Sequence, residues 1–429
     1  MKNKYIHKLV QSEFVKNSTT LLSSNVIAQI IAITIYPIVT RIYSPDDFGE
    51  FSLFLTIAGI LSIISTGRYE SAILLPKNES KAIAVFQLCI KMSVIIFIIL
   101  LPVSVFFKNQ IAQFFGSNIL QKWLPLLPVL VLLSAFWQSL NFYLIRFKKF
   151  KKIGFYNISQ STVNSAFKVG FGIFKILHIG LILSTLLGQL FALFTTVFIS
   201  RKLFLKLIEN NKLLLQSVRR EYIKFPLYEM PHAVINMLSG SLPILLLSTE
   251  FSLELIGFFS LGITLGFRPI NVFCSSIYQV LFQKITQKVN NNEIIIEHLF
   301  SYIKKVAVFI LPLFVFVFIF SNEIFELLFG KEWRVAGTYF KLMLPWFFVV
   351  VFTSSLSFIP KIFQKQKYAM FIEIIYIILR IVVLYIGLYN HSFYLAILLF
   401  CSVSVFMLTV QLIWFLSLSK KYELQRQCM

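Results

Sequence analysis

Charged residues are scarce in this chain of 429 residues. Only 14% of its residues are charged, whereas 58% are hydrophobic and 48 are Phe. A soluble protein of this size needs far more polar surface around its core, so the composition excludes a soluble globular fold. Acidic residues are rarest, with 18 Asp and Glu against 40 Lys and Arg, which leaves a net charge of +22. In a membrane protein such an excess reflects basic loops rather than nucleic-acid binding.

Motifs for cofactors, metals and catalysis are also missing. The five His are scattered without an HExxH pattern, and neither a Walker motif nor a Gly-rich phosphate loop is present. The four Cys (Cys89, Cys274, Cys401 and Cys428) have no CxxC spacing, and three of them fall inside apolar runs. We therefore expect no cofactor, no metal site, no enzyme activity and no nucleic-acid partner.

Long apolar runs recur along the whole chain. A helical crossing of the bilayer needs about 20 apolar residues, and the shorter alternating segments of a membrane barrel are absent. The runs predict an all-α integral membrane protein with about twelve transmembrane helices. Their approximate spans are 18–42, 48–74, 82–107, 121–146, 153–176, 179–200, 222–248, 255–283, 302–328, 336–360, 367–389 and 393–418. The longest loop is expected around 202–221.

The basic residues predict the orientation of these helices. Sorted by the spans, 28 of the 40 Lys and Arg lie on the side of the N-terminus, 7 lie on the other side and 5 lie within helices. Cytoplasmic loops carry the excess of Lys and Arg, so both termini are predicted to be cytoplasmic. Residues 1–16 are charged and amphipathic, which indicates a short segment on the cytoplasmic membrane surface.

Three sequence landmarks occur twice in the same order. IYPIVTRIYSPDDFGEFSL (35–53) resembles LPILLLSTEFSLELIGFFSL (242–261), and FKNQIAQFFG (107–116) resembles FSNEIFELLFG (320–330). The basic turn RFKKFKK (146–152) likewise matches KIFQKQK (361–367). We interpret these as a duplication that yields two six-helix bundles, 17–210 and 211–429. Six is an even number, so the pseudo-two-fold axis would follow the membrane normal, with the substrate site between the halves.

Five basic residues fall inside predicted helices: Arg68, Lys91, Lys168, Arg268 and Arg380. Each costs about 2.5–3.5 kcal/mol at mid-bilayer, so all five are candidate binding residues that face a wet cavity or pair with acids. Structural readings remain open, because Arg68 lies close enough to the interface to act as an anchor and Lys91 can snorkel along its stem.

Acidic and polar residues inside the predicted helices are candidates for ion coupling and for the cavity lining. Glu373 shares a helix face with Arg380, two turns away, and Glu229 lies three residues before His232 beside Pro226 and Pro231, which should kink or open that helix. A proton relay and a merely satisfied Glu229–His232 pair are both consistent with this spacing. The candidates are Glu229, His232, Glu373 and Glu70 for ion coupling, with Asn25, Gln29 and Asn141 as residues that line a cavity or join helices.

The stretch NSTTLLSSNVIAQIIAITIYPIVTRIYSPDDFGEFSLFLTIAGILSIISTGRYESAILLP (17–76) resembles the opening helices of the polysaccharide-transport flippases, the Wzx type. That family belongs to the superfamily of multidrug and toxin extruders and the lipid II flippase. The resemblance implies a V-shaped fold in the bacterial inner membrane that carries an undecaprenyl-diphosphate-linked oligosaccharide to the periplasmic leaflet for O-antigen or capsule synthesis. It implies a basic cavity, a role carried onto Arg268, Arg68, Lys168 and Arg380. The implied partners are membrane lipids and the polymerase or chain-length proteins of the same pathway.

The excess of embedded bases agrees with an anionic cargo. Guanidinium groups bind phosphate in a bidentate manner, whereas a cation exporter would need an acidic lumen. An inside-negative potential favours outward movement of an anion by about 2.3 kcal/mol per charge per 100 mV. Return of the empty carrier would then be coupled to a proton or sodium ion through Glu229 and His232. A multidrug or metabolite antiporter of the same fold and a membrane polysaccharide polymerase are the alternatives.

Overall fold

The computed structural model describes residues 20, 23–117, 120–201, 212–291 and 293–427, and helices are its regular structure throughout these ranges. The chain forms two compact units, Met1–Leu253 and Glu254–Met429. The seventh long helix is therefore grouped with the first unit, whereas the division at residue 210 that the repeat suggests stays a prediction. The predicted surface segment 1–16 lies outside the described residues.

Each of the twelve predicted helices has a counterpart in the described part of the chain. Ten of them are long and apolar enough to cross a membrane; α1 is shorter and α5 is more polar. The prediction of an all-helical, multi-pass membrane protein is therefore confirmed. The helices of the first unit are α1 (Ser23–Val39, interrupted at Ile35), α2 (Pro45–Thr66), α3 (Glu79–Phe106), α4 (Leu127–Arg146), α5 (Phe150–Ile173), α6 (Leu177–Ile199) and α7 (Met230–Leu247). Those of the second unit are α8 (Leu253–Asn290), α9 (Ile296–Phe329), α10 (Arg334–Leu356), α11 (Gln366–Tyr389) and α12 (Phe393–Gln427).

Several predicted boundaries are wrong, and α12, expected to end at residue 418, runs to Gln427. Helix 2 was expected to run to residue 74, but α2 ends at Thr66 because Gly67 and Arg68 adopt left-handed φ angles of 57° and 59°. Part of the expected loop around 202–221 is a helix, Lys212–Glu221, which buries Leu215 and Val218. Such an amphipathic helix needs only a few apolar positions on one face, which a search for long apolar runs does not detect.

The connecting helix Lys212–Glu221 is tied to the start of α3. The Lys81 ammonium donates a hydrogen bond of 2.8 Å to the Glu221 carboxylate. This hydrogen bond from Lys81, with a second one from Tyr222, lowers the pKa of the Glu221 carboxyl group.

The backbone repeats itself where the sequence does. Phe107, the first residue of FKNQIAQFFG, interrupts the helix with φ −100° and ψ 11°. Phe320, the first residue of FSNEIFELLFG, interrupts α9 with φ −101° and ψ 19°. The two landmarks then end on glycines with positive φ, Gly116 and Gly330. The duplication inferred from sequence is thus accompanied by the same interruptions at the same places.

Matching left-handed turns also end the helices of the two halves. Lys148 and Gln364 both have φ 54°, and the following amides, of Lys149 and Lys365, each bond to the carbonyl five residues earlier. This is the Schellman arrangement, which pairs carbonyls that a helix end otherwise leaves free. Lys175 and His391 repeat the arrangement after α5 and α11.

Two charged side chains complete the hydrogen bonding of backbone elsewhere in the chain. The Arg146 guanidinium at the end of α4 donates to the carbonyls of Ile73 and Pro76, with further bonds to Leu74 and Lys77. The Glu423 carboxylate near the end of α12 accepts bonds of 2.6 and 2.8 Å from the amides of Ile295 and Ile296. An anion at the first turn of α9 also suits the positive end of that helix.

Small residues set the closest helix contacts in each unit. A Cβ atom added at Gly188 of α6 would lie 2.8 Å from the Cβ of Asn164 in α5. A Cβ at Gly387 of α11 would lie 2.5 Å from the Cα of Ala396 in α12. Backbones approach each other this closely in membrane helix pairs because van der Waals packing holds the helices together there.

We predict that Gly387→Ala destabilises the second unit, because the added methyl group meets backbone atoms that cannot move aside. Overpacking of this kind costs about 1–3 kcal/mol. Thermal unfolding of the detergent-solubilised protein should therefore occur at a clearly lower temperature. Gly170→Ala is the control, since nothing lies within 4 Å of a Cβ there; it should leave the transition unchanged or slightly raised. Equal transitions for the two variants would contradict the prediction.

Candidate functional site

Arg68 lies in an ion-pair cluster that joins the end of α2 to the start of α7. Its Nη1 lies 3.1 Å from Glu70 Oε1, and its Nη2 lies 3.6 Å from Glu229 Oε1. Glu70 is fully buried, whereas Arg68 and Glu229 keep 26% and 48% of their side-chain surface exposed. The charge of Arg68 is therefore compensated in this conformation, which favours the structural reading over the binding reading.

The start of helix 7 is opened, as its prolines suggested. Phe225–Glu229 forms a π-helical turn with Pro226 as its second residue, and Pro231 stands in the first turn of α7. Glu229 and His232, whose spacing was consistent with a proton relay or a satisfied pair, do not contact each other as a pair in the described part of the chain. Glu229 turns to Arg68 instead, and His232 is exposed.

Lys168 is enclosed in α5 with only 9% of its surface exposed. Its ammonium lies 5.0 Å from the centroid of the Phe51 ring and 5.9 Å from that of the Tyr36 ring. The Tyr43 hydroxyl donates a 2.9 Å hydrogen bond to its backbone carbonyl, which fixes this turn of the helix. Ring faces attract a cation electrostatically, so they lower the cost of burying it.

Arg380 occupies an aromatic enclosure in the second unit and is 6% exposed. Its guanidinium carbon lies 3.8 Å from the ring centroid of Tyr376 and 4.8 Å from that of Phe400, and Nη2 donates to the Tyr376 hydroxyl. A longer bond of 3.4 Å reaches Ser404 Oγ. Glu373, two turns earlier, is near enough for its charge to act on Arg380, as the spacing predicted.

The other two basic candidates differ in their surroundings. Arg268 is half-buried in α8 beside Pro269, and Lys91 is exposed on α3. Arg268 and Lys91 thus stay predictions as binding residues.

The polar candidates of the first unit differ in their hydrogen bonding. Asn25 Oδ1 accepts a 2.7 Å bond from Asn157 Nδ2, which links α1 to α5. Buried oxygens of Gln29 and Asn141 have no hydrogen-bond partner among the described residues. Asn25 therefore acts as a contact between helices here, whereas the amides of Gln29 and Asn141 keep hydrogen-bonding capacity.

Sequence reasoning missed two buried acids at the start of α2. Asp47 accepts 2.9 Å bonds from the amide and hydroxyl of Ser44, a capping box whose S-P-D-D signal was readable in the sequence. Glu50 is 1% exposed, and its Oε1 has no hydrogen-bond partner in the described ranges. The nearby base is Lys122, whose charge acts on Glu50. No local pattern marks Glu50, because only tertiary packing encloses it.

Metal-ligating side chains do not gather in the part of the chain that the structure describes. No group of three or more His, Cys, Asp or Glu is placed there to hold an ion.

Solved structures of membrane transporters have the same fold. The lipid II flippase MurJ, in an inward closed conformation, aligns with a TM-score of 0.70 and 15% identity over 95% of this chain and 90% of that one. An inward-facing multidrug resistance MATE transporter of the MOP superfamily aligns with a TM-score of 0.61 and 13% identity over 94% and 95%. A MOP superfamily transporter from Pyrococcus furiosus aligns at 0.52 and 13% over 95% and 96%. The chain therefore shares the helical fold of these proteins.

The family is shown by the sequence itself. A profile described as "Polysaccharide biosynthesis protein" matches residues 38–337, more than half of the chain, so this protein belongs to that family. No curated protein matches the chain.

We predict that Arg68→Ala strongly destabilises the first unit because it leaves the buried Glu70 without its cation. Breaking a buried pair costs about 3–5 kcal/mol, whereas removal of both partners costs much less. The double variant Arg68→Ala/Glu70→Ala should therefore recover most of the thermal stability. Glu229→Gln is the control and should change stability little, since a half-exposed pair contributes about 0–1 kcal/mol.

The same variants separate a structural role of Arg68 from a binding role. A double variant that recovers both stability and transport would remove Arg68 from the binding site. One that recovers stability but not transport would return it there.

Proposed function

We propose that this protein is a flippase that moves undecaprenyl-diphosphate-linked oligosaccharide repeat units from the cytoplasmic to the periplasmic leaflet of the bacterial inner membrane. The observation that supports the proposal most is the family match over residues 38–337. The fold of the chain is also that of the lipid II flippase. The translocated repeat units would be used for O-antigen or capsule synthesis. The polymerase and chain-length proteins of that pathway would be the partners of this protein. Both termini would be cytoplasmic.

The way the embedded bases are held supports an anionic cargo. Lys168 and Arg380 both face aromatic rings, which stabilise a cation without cancelling its charge. Each unit thus encloses a basic side chain, where the low dielectric lets an electric field act over a longer distance than in water. With 40 Lys and Arg against 18 Asp and Glu in the chain, the overall field would attract a diphosphate and repel an organic cation.

Arg268 is the base that we assign to direct contact with the diphosphate. It is half-buried rather than enclosed, so its guanidinium remains closer to solvent than that of Arg380. Pro269 follows it and removes one backbone donor from α8 at this level, which favours local bending of the helix.

Ion coupling is better assigned to Glu50 than to Glu229. Glu229 is half-exposed and held by Arg68, which limits its freedom to exchange an ion. Glu50 is enclosed and has an oxygen without a hydrogen-bond partner, so a proton or cation that reached it would gain a contact that the resting conformation lacks. Membrane-embedded carboxyl groups of this kind form the relays of ion-driven transporters.

Deletion of the chain is predicted to abolish the surface polysaccharide and to leave lipid-linked repeat units on the cytoplasmic side. Wild-type protein should restore the polymer, whereas normally expressed Arg268→Ala should restore less than about a tenth, because a charge-assisted contact contributes about 1.5–3 kcal/mol. Polymer is measured by gel analysis, and the sidedness of the lipid-linked units by lectin labelling of intact spheroplasts.

Arg334→Ala is the matched control for that measurement. Arg334 is exposed and pairs with Glu326 and Glu323, so its loss should not affect transport. Full restoration by Arg268→Ala would remove this residue from the site. Normal surface polymer in the deletion strain, with drug sensitivity instead, would favour a multidrug antiporter of the same fold.

We also predict that Glu50→Gln folds normally, since the amide has the same shape, but loses gradient-driven transport by about tenfold or more. Exchange of labelled for unlabelled substrate in proteoliposomes without a gradient should persist. Asp46→Asn is the control, since Asp46 is the exposed acid of the same helical turn. Unchanged acceleration by an imposed ion gradient in Glu50→Gln would reject the assignment.

A further inference from the structure

A groove of about 790 Å³ runs along the second unit between α9, α10 and α12. Its lining is mostly apolar and includes Phe318, Pro345, Leu398 and Phe406, with Lys341 as its single charged residue. Nothing in the family match or in the fold assigns a role to this surface.

Ring contacts fix where Lys341 lies along the groove. Tyr339 of α10 packs against Phe393 of α12 with ring centroids 5.1 Å apart, and Trp346 packs against Phe400 at 5.4 Å. The two helices therefore run side by side in the same direction, and Lys341 stands near the end of the groove where Tyr394 lies. The other end is Thr409.

The groove is long in comparison with one leaflet. From Tyr394 to Thr409 the lining follows one face of α12 over fifteen residues, or about 22 Å at 1.5 Å per residue. The hydrocarbon core of a bilayer is about 30 Å thick, so a single leaflet accounts for about 15 Å. The groove thus passes the middle of the membrane, which suits a chain longer than that of an ordinary phospholipid.

Lys341 gives this groove one end that suits an anion. Its ammonium lies 5.0 Å from the ring centroid of Phe318, another lining residue, and it forms no ion pair with an acid in the described ranges. Tyr394 lines the groove at the same end. A cation at one end of an apolar channel is complementary to a lipid that carries a phosphate on one long chain.

We propose that this groove binds the polyisoprenyl chain of the lipid carrier, with Lys341 contacting its phosphate. The inference rests on the proposed function, since it is the carrier of that substrate that would occupy the groove. The topology predicted from the basic residues places the Lys341 end on the outer side. The groove would therefore hold the carrier after its headgroup has crossed.

The test is photolabelling of the full-length protein in nanodiscs with a diazirine-bearing undecaprenyl phosphate. Labels should map to α12 between Tyr394 and Thr409. Leu398→Trp fills the groove and should reduce labelling about tenfold, whereas Ile413→Trp should not, because Ile413 is exposed on the same helix outside the lining. Lys341→Ala should weaken labelling by undecaprenyl phosphate about tenfold, whereas labelling by neutral undecaprenol should stay unchanged. Lys331→Ala, which removes an exposed lysine, is the control for the loss of a charge.

Three results would overturn the inference: labels outside the groove, equal labelling of Leu398→Trp and wild type, or displacement of the probe by an equal amount of phosphatidylglycerol. A translocation assay on the same nanodisc protein, reconstituted into vesicles, separates this inference from the proposed function. If the groove is labelled but the protein translocates no substrate, the flippase function is rejected and the lipid site is retained. Translocation without groove labelling would reject the lipid site alone.

Discussion

The constraint on which this structure depends is that backbone amides and carbonyls must be paired wherever water is excluded. An unpaired group in hydrocarbon costs several kcal/mol, so a crossing segment must be helical and must end in a turn that pairs its last carbonyls. The left-handed residues Lys148 and Gln364 provide such turns. Where the turn does not suffice, a distant side chain completes the pairing, as Arg146 does for the carbonyls after α2 and Glu423 does for the amides that begin α9. Arg146 and Glu423 therefore have a structural role, although in the sequence they resemble ordinary charged residues of loops.

The same constraint sorts the embedded side-chain charges. Arg68 is neutralised by acids, and the buried Glu70 explains why it has to be. Lys168 and Arg380 are held against aromatic rings, which reduce the cost of burying a cation. Arg380 is enclosed in this conformation, with 6% of its surface exposed. The embedded bases of this chain therefore form at least two groups, one paired with acids and one packed against aromatic rings.

Helix number, class and the duplication follow from patterns that lie within a few dozen residues, and for this reason the sequence predicted them. A run of about 20 apolar residues leaves little choice of structure in a bilayer, so each predicted helix has a counterpart. The candidate site was harder to predict because its contacts join residues that are far apart in the sequence. Arg68, for example, pairs with Glu229, more than 150 residues away. Glu50 was overlooked because it stands near the predicted start of a helix, where an acid normally meets water. Burial of such a residue is a property of tertiary packing and leaves no local trace.

The duplication also shows where the two halves diverged. Lys148 and Gln364 are 216 residues apart, as are Lys175 and His391, so α5 and α11 have matching lengths and a common register. In this register Asn164 corresponds to Arg380 and Gly188 to Ser404, and both are contact pairs: a Cβ at Gly188 would meet Asn164, and Arg380 reaches Ser404 Oγ. Lys168 corresponds to Leu384. Each half thus carries an enclosed base where the other half is neutral. The backbone repeat was kept because the turns and helix contacts require it, whereas the charges are free to differ.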